Sequence, residues 1–355
     1  MESTLPALAV QTLDILTVEQ IKAAYARHEP IAYADPMMAR TELPLQQTFY
    51  PFGFPLQVFT NSEEVLAAAK ESWHGFRPLF ETEPIRFHVG VTEGGSAECP
   101  PAPISRVREH LCSQIADGEN FAISDAARFF SNIWLAQSTL AHRNYIRYFL
   151  LESCAMFHLS ARHSIGIHAA CVELDGHGIL FCGDSGAGKS TLAYGCARAG
   201  WTYITDDASF LVNGRDDGLV VGNSRQVRFR PSAEALFPEL QGRPILQRAQ
   251  IGKPSIEWNT APLAHFSTSF SSQVKHVVFL DRREGVPAEL VSLPKEVAKA
   301  FILQRGIGIP EIADLQTAAV NRLLDRGVFE LRYTDLNWAI ERLTRLVKEG
   351  QQCSR

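Results

Sequence analysis

One eight-residue loop limits the possible folds of this chain more than any other segment. The pattern G-x-x-x-x-G-K-[ST], known as a P-loop or Walker A motif, is matched by Gly183, Asp184, Ser185, Gly186, Ala187, Gly188, Lys189 and Ser190. Glycines let such a loop curl so that several N–H groups point at one anion, and the following helix adds its positive dipole end. The lysine then contacts the β- and γ-phosphates, and the serine hydroxyl binds Mg²⁺. The loop therefore predicts a nucleotide site that uses Mg²⁺.

The residues on either side of the loop have the patterns that this interpretation requires. HAACVEL and GILFCG flank the turn signal DGHG and predict a β-hairpin that leads into the loop. STLAYGCARAG predicts a helix that stops at Gly200, and WTYIT predicts a strand that ends at Asp206 and Asp207. The carboxyl ends of parallel strands share one crevice, so both aspartates are expected to face the loop. One can bind Mg²⁺ while the other accepts a proton from an attacking hydroxyl; the alternative is a solvated turn with a capping aspartate.

Other polar residues are candidates for the same site, each with a structural alternative. Arg228 and Arg230 alternate on a predicted strand and therefore share a face, from which guanidinium groups could clamp phosphate charge. A solvated strand face is the alternative. His168 opens the hairpin, and a lone histidine on a strand is more often a structural residue. Glu257 is a candidate for shaping an acceptor pocket.

Composition excludes several functional classes. The formal net charge of −5 gives no general attraction to nucleic acid or anionic membranes, so neither is expected as a partner. No apolar segment is continuous enough to span a bilayer, and the N-terminus lacks the pattern of a signal peptide. The seven cysteines are odd in number and contain no C-x-x-C pair, which argues against a disulfide framework or a structural zinc site. Reduced thiols are typical of a cytoplasmic protein.

The element pattern predicts two domains. Residues 1–140 are expected to form a smaller α+β domain, with a helix capped by Thr17 and another capped by Asn61, and are a candidate acceptor-recognition module. Residues 141–355 are expected to form the α/β nucleotide-binding domain. A long apolar helix near 143–162 would join the two, and Thr334 is expected to cap an amphipathic terminal helix.

The region from Ile165 to Leu211 resembles the HPr kinase/phosphorylase family. The shared features are His168, an apolar hairpin, GDSGAGKS, a helix ending at Gly200 and a strand ending in ITDD. The resemblance implies an α/β HPr-kinase-like domain with a mixed sheet and a P-loop, using ATP and Mg²⁺. It implies that Asp206 is the general base, that Asp207 is a metal ligand with Ser190, and that His168 contacts the phosphate or metal site. Lys189 and Ser190 would hold phosphate and Mg²⁺.

The chain also departs from that family. Thr191 stands where the family has Glu, although as the next residue of the helix it remains among the predicted nucleotide-binding residues. The family's E-x-R-G-L-G-I element has only a distant echo in QRGIGIPEI, so neither phosphorolysis nor HPr as substrate is implied. The resulting hypothesis is a cytoplasmic Mg²⁺-dependent ATP phosphotransferase acting on a hydroxyl of a peptide, protein or small metabolite, with homo-oligomerisation possible. The alternatives are an ordinary P-loop small-molecule kinase, which lacks the antiparallel hairpin, and a non-catalytic nucleotide-binding regulatory protein.

Overall fold

The computed structural model describes residues 17–28, 41–246, 254–260, 266–283, 285, 287–304 and 310–352. These described residues form two compact units: those up to residue 74 and from 81 to 155 make the first, and 75–80 together with those from 156 onward make the second. The domain boundary predicted between residues 140 and 141 stays a prediction. None of the helices in the described ranges combines the length and apolar composition needed to cross a bilayer.

The first unit is built around a mixed sheet of seven strands in the order β1-β2-β3-β7-β6-β5-β4. The strands are β1 (Leu45–Phe49), β2 (Leu56–Thr60), β3 (Ile85–Thr92), β4 (Ile104–Arg108), β5 (Leu111–Ile115), β6 (Phe121–Asp125) and β7 (Phe130–Ala136). Helices α1 (Val18–Ala26) and α2 (Glu63–Trp73) precede and interrupt them. Val65, Ala68 and Trp73 form the buried side of α2. Strands β2, β3 and β7 alternate buried residues with half-buried or exposed ones, so the sheet has one packed face and one more open face.

A long helical segment follows the first sheet, as predicted for residues 143–162. It alternates α-helical and π-helical turns over Arg143–Tyr145, Ile146–Glu152, Ser153–His158 and Leu159–His163. Its first part packs on the packed face of the first sheet, where the Cys154 thiol donates to Gln114 Oε1 at 3.0 Å.

The second unit contains a nine-stranded mixed sheet and a small antiparallel sheet. The main path is β11-β9-β10-β17-β13-β12-β8, with β19 beside β17 and β18 beside β19. Its strands are β8 (Ser164–Ile167), β9 (Ala170–Leu174), β10 (His177–Cys182), β11 (Thr202–Thr205), β12 (Ser209–Val212), β13 (Leu219–Gly222), β17 (Ser271–Asp281), β18 (Glu289–Ser292) and β19 (Val328–Arg332). The small sheet has β14 (Gln226–Phe229), β16 (Ser255–Asn259) and β15 (Ile245–Leu246). The fold is therefore mixed α/β with both parallel and antiparallel pairing.

Helices cover both faces of the larger sheet. They are α3 (Lys189–Arg198), α4 (Lys295–Leu303), α5 (Pro310–Leu324) and α6 (Leu336–Gln352). Apolar side chains of α3 and α6, including Leu192 and Leu343, form the core on one face. Those of α4 and α5, including Ile302 and Leu323, form the core on the other. Each helix therefore buries one apolar side against the sheet, in the manner of a layered α/β domain.

The local predictions around the loop are confirmed. Strands β9 and β10 pair antiparallel with Ile179 opposite Val172, which is the predicted hairpin. Helix α3 ends at Arg198, and Gly200 follows with φ of 92°, the left-handed conformation that glycine adopts easily. Thr17 forms the predicted capping box with Gln20. The echo QRGIGIPEI falls largely on residues 305–309, outside the described residues.

Two predicted helix caps are wrong by one residue. Ser62, not Asn61, occupies the N-cap of α2, because the Asn61 side chain instead bonds both backbone groups of Val91. Asp335, not Thr334, caps α6, since its carboxylate accepts from the backbone N–H of Trp338 at 2.6 Å. In both cases two adjacent residues are good capping types, so the sequence alone does not separate them.

Candidate functional site

The candidate site lies along one edge of the larger sheet. Strands β10 and β11 both run antiparallel to β9 and therefore point the same way, and β17 and β19 run parallel to β10. All four strands thus end at this edge, and β9 begins there. Residues that follow the four strand ends, or that precede β9, are brought together by this topology.

The loop from Gly183 to Ser190 follows β10 and leads into α3. Gly186 and Gly188 have φ values of 98° and 97°, the left-handed region in which glycine is unstrained. Gly188 is the N-cap of α3, and no side chain caps the helix. A Cβ added to Gly186 would meet no atom within 4 Å. The loop therefore presents backbone N–H groups and open space to an incoming anion.

Lys189 is folded back over the loop. Its side chain is buried, and Nζ donates to the carbonyl oxygens of Gly183 at 2.7 Å and Asp184 at 3.1 Å. On the outer side of the loop, the Arg230 guanidinium donates to the Ser185 hydroxyl at 3.1 Å. Two cationic side chains therefore contact the loop from different elements.

Asp206 is buried at the end of β11. Its Oδ2 accepts from the backbone N–H of Arg228 at 2.9 Å, and its carboxylate also interacts with the hydroxyls of Ser190 and Tyr203. Burial raises the pKa of Asp206 to about 6, against the opposing effect of the Arg228 N–H. The carboxyl is thus joined to the first turn of α3 and titrates closer to neutrality than an exposed aspartate.

The neighbouring Asp207 has a different environment. It is exposed, and its Oδ1 lies 3.0 Å from Nδ1 of His168, the residue between β8 and β9. Hydrogen bonding from His168 lowers the pKa of Asp207, and the charges of Arg228 and Lys189 act in the same direction. Asp207 therefore remains a carboxylate throughout the neutral range.

The two predicted arginines contact different partners. Arg230 contacts the loop, whereas Arg228 Nε lies 3.3 Å from Glu257 Oε1 and its Nη2 donates to the Ser255 hydroxyl at 3.2 Å. Glu257 also accepts from Gln226 at 2.7 Å. Within the small sheet, the Arg228 side chain thus contacts two residues of β16, while its backbone N–H contacts Asp206.

A cleft of about 500 Å³ opens on another side of the loop. Its lining is Asp184, Gly186, Ala187, Leu280, Asp281, Arg282 and Thr334. Next to Thr334, the Tyr333 side chain is buried, and its hydroxyl would lie 2.9 Å from a Cβ added to Gly188. Sequence reasoning did not assign Leu280, Asp281, Arg282 or the Tyr333–Thr334 pair to the site. Strands β17 and β19 end at or just before these residues, and the end of a strand at this edge is the signal that could have found them.

Most of the predicted site residues are therefore found at one edge of the larger sheet, and Arg228 and Arg230 contact them from the small sheet. His168, Asp206 and Asp207 lie beside the loop; Thr191 lies in the first turn of α3. Within the described residues, no group of three or more His, Cys, Asp or Glu side chains could by itself hold a metal ion. A metal bound here would need other ligands besides the protein carboxylates.

Comparison with known proteins gives little further information. No protein-family model matches the sequence, and no curated protein matches it. Among solved structures, the chain is similar to the Hpr(Ser) kinase/phosphatase from Coxiella burnetii, with a TM-score of 0.32 and 13% identity, covering 54% of this chain and 99% of that one. A likeness at this level carries no argument about function, which has to be inferred from the side chains.

Proposed function

We propose that this protein is a Mg²⁺-dependent phosphotransferase of the HPr-kinase-like kind that moves the γ-phosphoryl group of ATP to a hydroxyl. The observation that carries the proposal is the contact between Asp206 and Ser190. It joins a buried carboxylate with a raised pKa to the first turn of the helix behind a P-loop. A phosphate site and a candidate general base therefore share one edge of the sheet.

The loop residues fit the phosphates of ATP. An uncapped helix N-terminus behind Gly188 leaves N–H donors for an anion, and the open space at Gly186 lets the anion approach the backbone. Lys189 already lies within the loop, where exchanging its carbonyl partners for phosphate oxygens needs only a side-chain movement. The cleft lined by Ala187, Arg282 and Thr334 has the volume of a small-molecule site and would take the nucleoside end.

The oxygens nearby fit Mg²⁺. Mg²⁺ is usually held by one or two protein oxygens, with phosphates and water completing the octahedron. Ser190 and Asp207 would be those ligands, and the lowered pKa of Asp207 keeps it anionic. When bound, the ion would neutralise charge on the β- and γ-phosphates.

The remaining side chains have roles that follow from their contacts. Asp206 would accept the proton of the attacking hydroxyl, for which a pKa of about 6 suits a base at neutral pH. His168 would hold Asp207 in position through its 3.0 Å contact. Arg230, which already reaches Ser185, would stabilise charge on the transferred group. The acceptor would be a serine of a peptide or protein, or a small hydroxyl metabolite.

The antiparallel β9–β10 hairpin supports this proposal over an ordinary P-loop small-molecule kinase. A non-catalytic nucleotide-binding protein would need neither the buried Asp206 nor its contact with Ser190. Keeping a carboxylate buried near neutral pH costs free energy, which favours a role that uses it.

The test is phosphoryl transfer from γ-labelled ATP with Mg²⁺, using a lysate of the source separated into polypeptide and small-molecule fractions. Asp206→Asn should lower transfer by roughly 10²- to 10⁴-fold while leaving ATP affinity nearly unchanged, because only the base is lost. Lys189→Ala should weaken both ATP binding and transfer. The matched controls are Asp216→Asn, at a side chain that is 89% exposed, and Lys348→Ala on the exposed side of α6.

The outcomes separate the hypotheses. Label in one fraction that depends on Lys189 establishes a kinase and the class of its acceptor. Wild-type transfer by Asp206→Asn would contradict the assignment of the base. ATP binding without transfer in any fraction would favour the non-catalytic alternative.

A further inference from the structure

The open face of the first sheet carries an unusual set of side chains on β4, β5 and β6. Residues paired across antiparallel strands share a face, so the register aligns Ile104 with Ile115 and Phe121, and Arg106 with Ser113 and Ile123. A third row aligns Arg108 with Leu111 and Asp125. We call this surface, formed by Ile104, Arg106, Arg108, Leu111, Ile115, Phe121 and Ile123, the β4–β6 patch.

The apolar members of the patch are well exposed. Ile104, Ile115, Leu111 and Ile123 retain 62%, 50%, 45% and 45% of their accessible surface. Phe121 stacks on Trp134 of β7 with ring centroids 4.6 Å apart, which continues the apolar surface across the next strand. The opposite face of β5 and β6 is buried, with Cys112 and Gln114 beneath the π-containing helical segment, whereas the edge strand β4 is exposed on both faces. Contiguous apolar surface of this kind marks interaction sites in soluble proteins.

The charge on the patch is positive. Arg106 and Arg108 project from the edge strand, and in the part of the chain that the structure describes neither forms an ion pair. The acidic side chain on this face of β4–β6, Asp125, is buried and engaged with the backbone N–H of Arg128 at 3.1 Å. This local charge is opposite in sign to the net charge of the whole chain, −5.

We propose that the β4–β6 patch docks a polypeptide whose acidic side chains alternate with apolar ones. Each guanidinium offers a planar fork of donors that matches a carboxylate, and the isoleucines and Leu111 provide the apolar contact between. A second copy of this chain fits less well, because facing patches would bring Arg106 and Arg108 of both copies together without acidic partners. The docking is independent of the proposed phosphoryl transfer, since it uses residues of the first unit alone.

The test uses the full chain and three fluorescein-labelled 12-residue peptides that share the same leucines and valines. The intervening positions are Asp and Glu in one peptide, Lys in the second, and Ser and Gln in the third. Fluorescence anisotropy should show the acidic peptide binding at least about tenfold more tightly than the other two. Arg106→Glu combined with Arg108→Glu should remove that preference, and Ile115→Ser should weaken binding of the acidic peptide.

Two control variants separate docking on the patch from charge effects elsewhere on the chain. Lys70→Glu changes an exposed charge on α2, which lies against the other side of the sheet, and should leave binding unchanged. Lys189→Ala, which is expected to weaken phosphoryl transfer, should also leave peptide binding unchanged. Equal affinity for the three peptides would overturn the proposal. So would self-association of the wild-type chain that is lost in the double arginine variant, since the occupant would then be a second copy.

Discussion

At the edge of the larger sheet, some ionisable side chains lie in environments that cost free energy of folding. Asp206 is the strongest case, because burial raises its pKa from 3.8 to about 6 although Arg228, Ser190 and Tyr203 all donate to it or lie beside it. The hydrogen bonds therefore offset only part of the desolvation. Its neighbour Asp207 is exposed and has a lowered pKa, so two adjacent carboxyls titrate differently.

Asp206→Asn should stabilise the protein at neutral pH. The raised pKa means that the folded state binds the proton more tightly, so wild-type stability falls as the pH rises from about 4 to about 6. The neutral amide avoids this loss, and the gain at pH 7.5 should be on the order of 2 kcal/mol. At pH 5.0 the gain should shrink to about half, because the carboxyl is then largely protonated.

Urea unfolding at both pH values, without divalent cations, measures this gain. Asp216→Asn, at an exposed carboxylate, should change the free energy of unfolding little at either pH. A destabilised Asp206→Asn at pH 7.5 would mean that hydrogen bonds to the carboxylate outweigh its desolvation.

Some properties of these residues could be predicted from the sequence, and others could not. The pair Asp206–Asp207 could be predicted because it ends a strand next to a recognisable loop. Which carboxyl is buried could not, because that depends on the backbone N–H of Arg228, which is brought to Asp206 from another sheet. The cap assigned to Asn61 failed for a similar reason: Val91, thirty residues later, binds its side chain.

At the scale of elements, the loop is shaped by the strands around it. Gly186 and Gly188 have nearly the same φ, 98° and 97°, but different surroundings. A Cβ on Gly186 would enter open space, whereas one on Gly188 would lie 2.9 Å from the Tyr333 hydroxyl just beyond β19. Tyr333, just beyond the end of β19, therefore leaves little room for a side chain at Gly188.

These two glycines provide a matched pair of substitutions. Gly186→Ala and Gly188→Ala should each lose about 1–2 kcal/mol to backbone strain. Gly188→Ala should lose more, because it also displaces Tyr333. Adding Tyr333→Phe to Gly188→Ala removes the hydroxyl and should recover the excess but not the strain, as measured by denaturant midpoints of the three variants and the wild-type chain. Equal losses for the two alanine variants would show that Tyr333 moves aside freely.

The hairpin and the helix after the loop could be predicted because they are local patterns of turn residues and apolar runs. The pairing of β10 with β17 could not, because nearly one hundred residues separate them along the chain. Strands β4 to β7 were also not individually predicted. For β4 the reason is that it is a short edge strand exposed along its whole length, so it lacks the buried alternation that marks a strand.

At the scale of the whole molecule, the two compact units are not continuous segments of the chain. Residues 75–80 follow α2 of the first unit but belong to the second. Phe76 is buried and packs on Phe270, with ring centroids 4.8 Å apart. A prediction made from contiguous segments cannot detect this assignment, because its evidence is contacts between residues far apart along the chain, such as Phe76 with Phe270 and Gly75 with Arg225.

This assignment gives a test of which unit Phe76 stabilises. Phe76→Ala should destabilise the second unit by about 3 kcal/mol, since it removes a buried aromatic side chain. Leu79→Ala is the control in the same segment, because Leu79 is 49% exposed and its truncation should cost less than about 0.5 kcal/mol. Hydrogen exchange read strand by strand should show faster exchange in β17 and its neighbours with β1 to β7 unchanged. Faster exchange in β1 to β7 instead would assign the segment to the first unit.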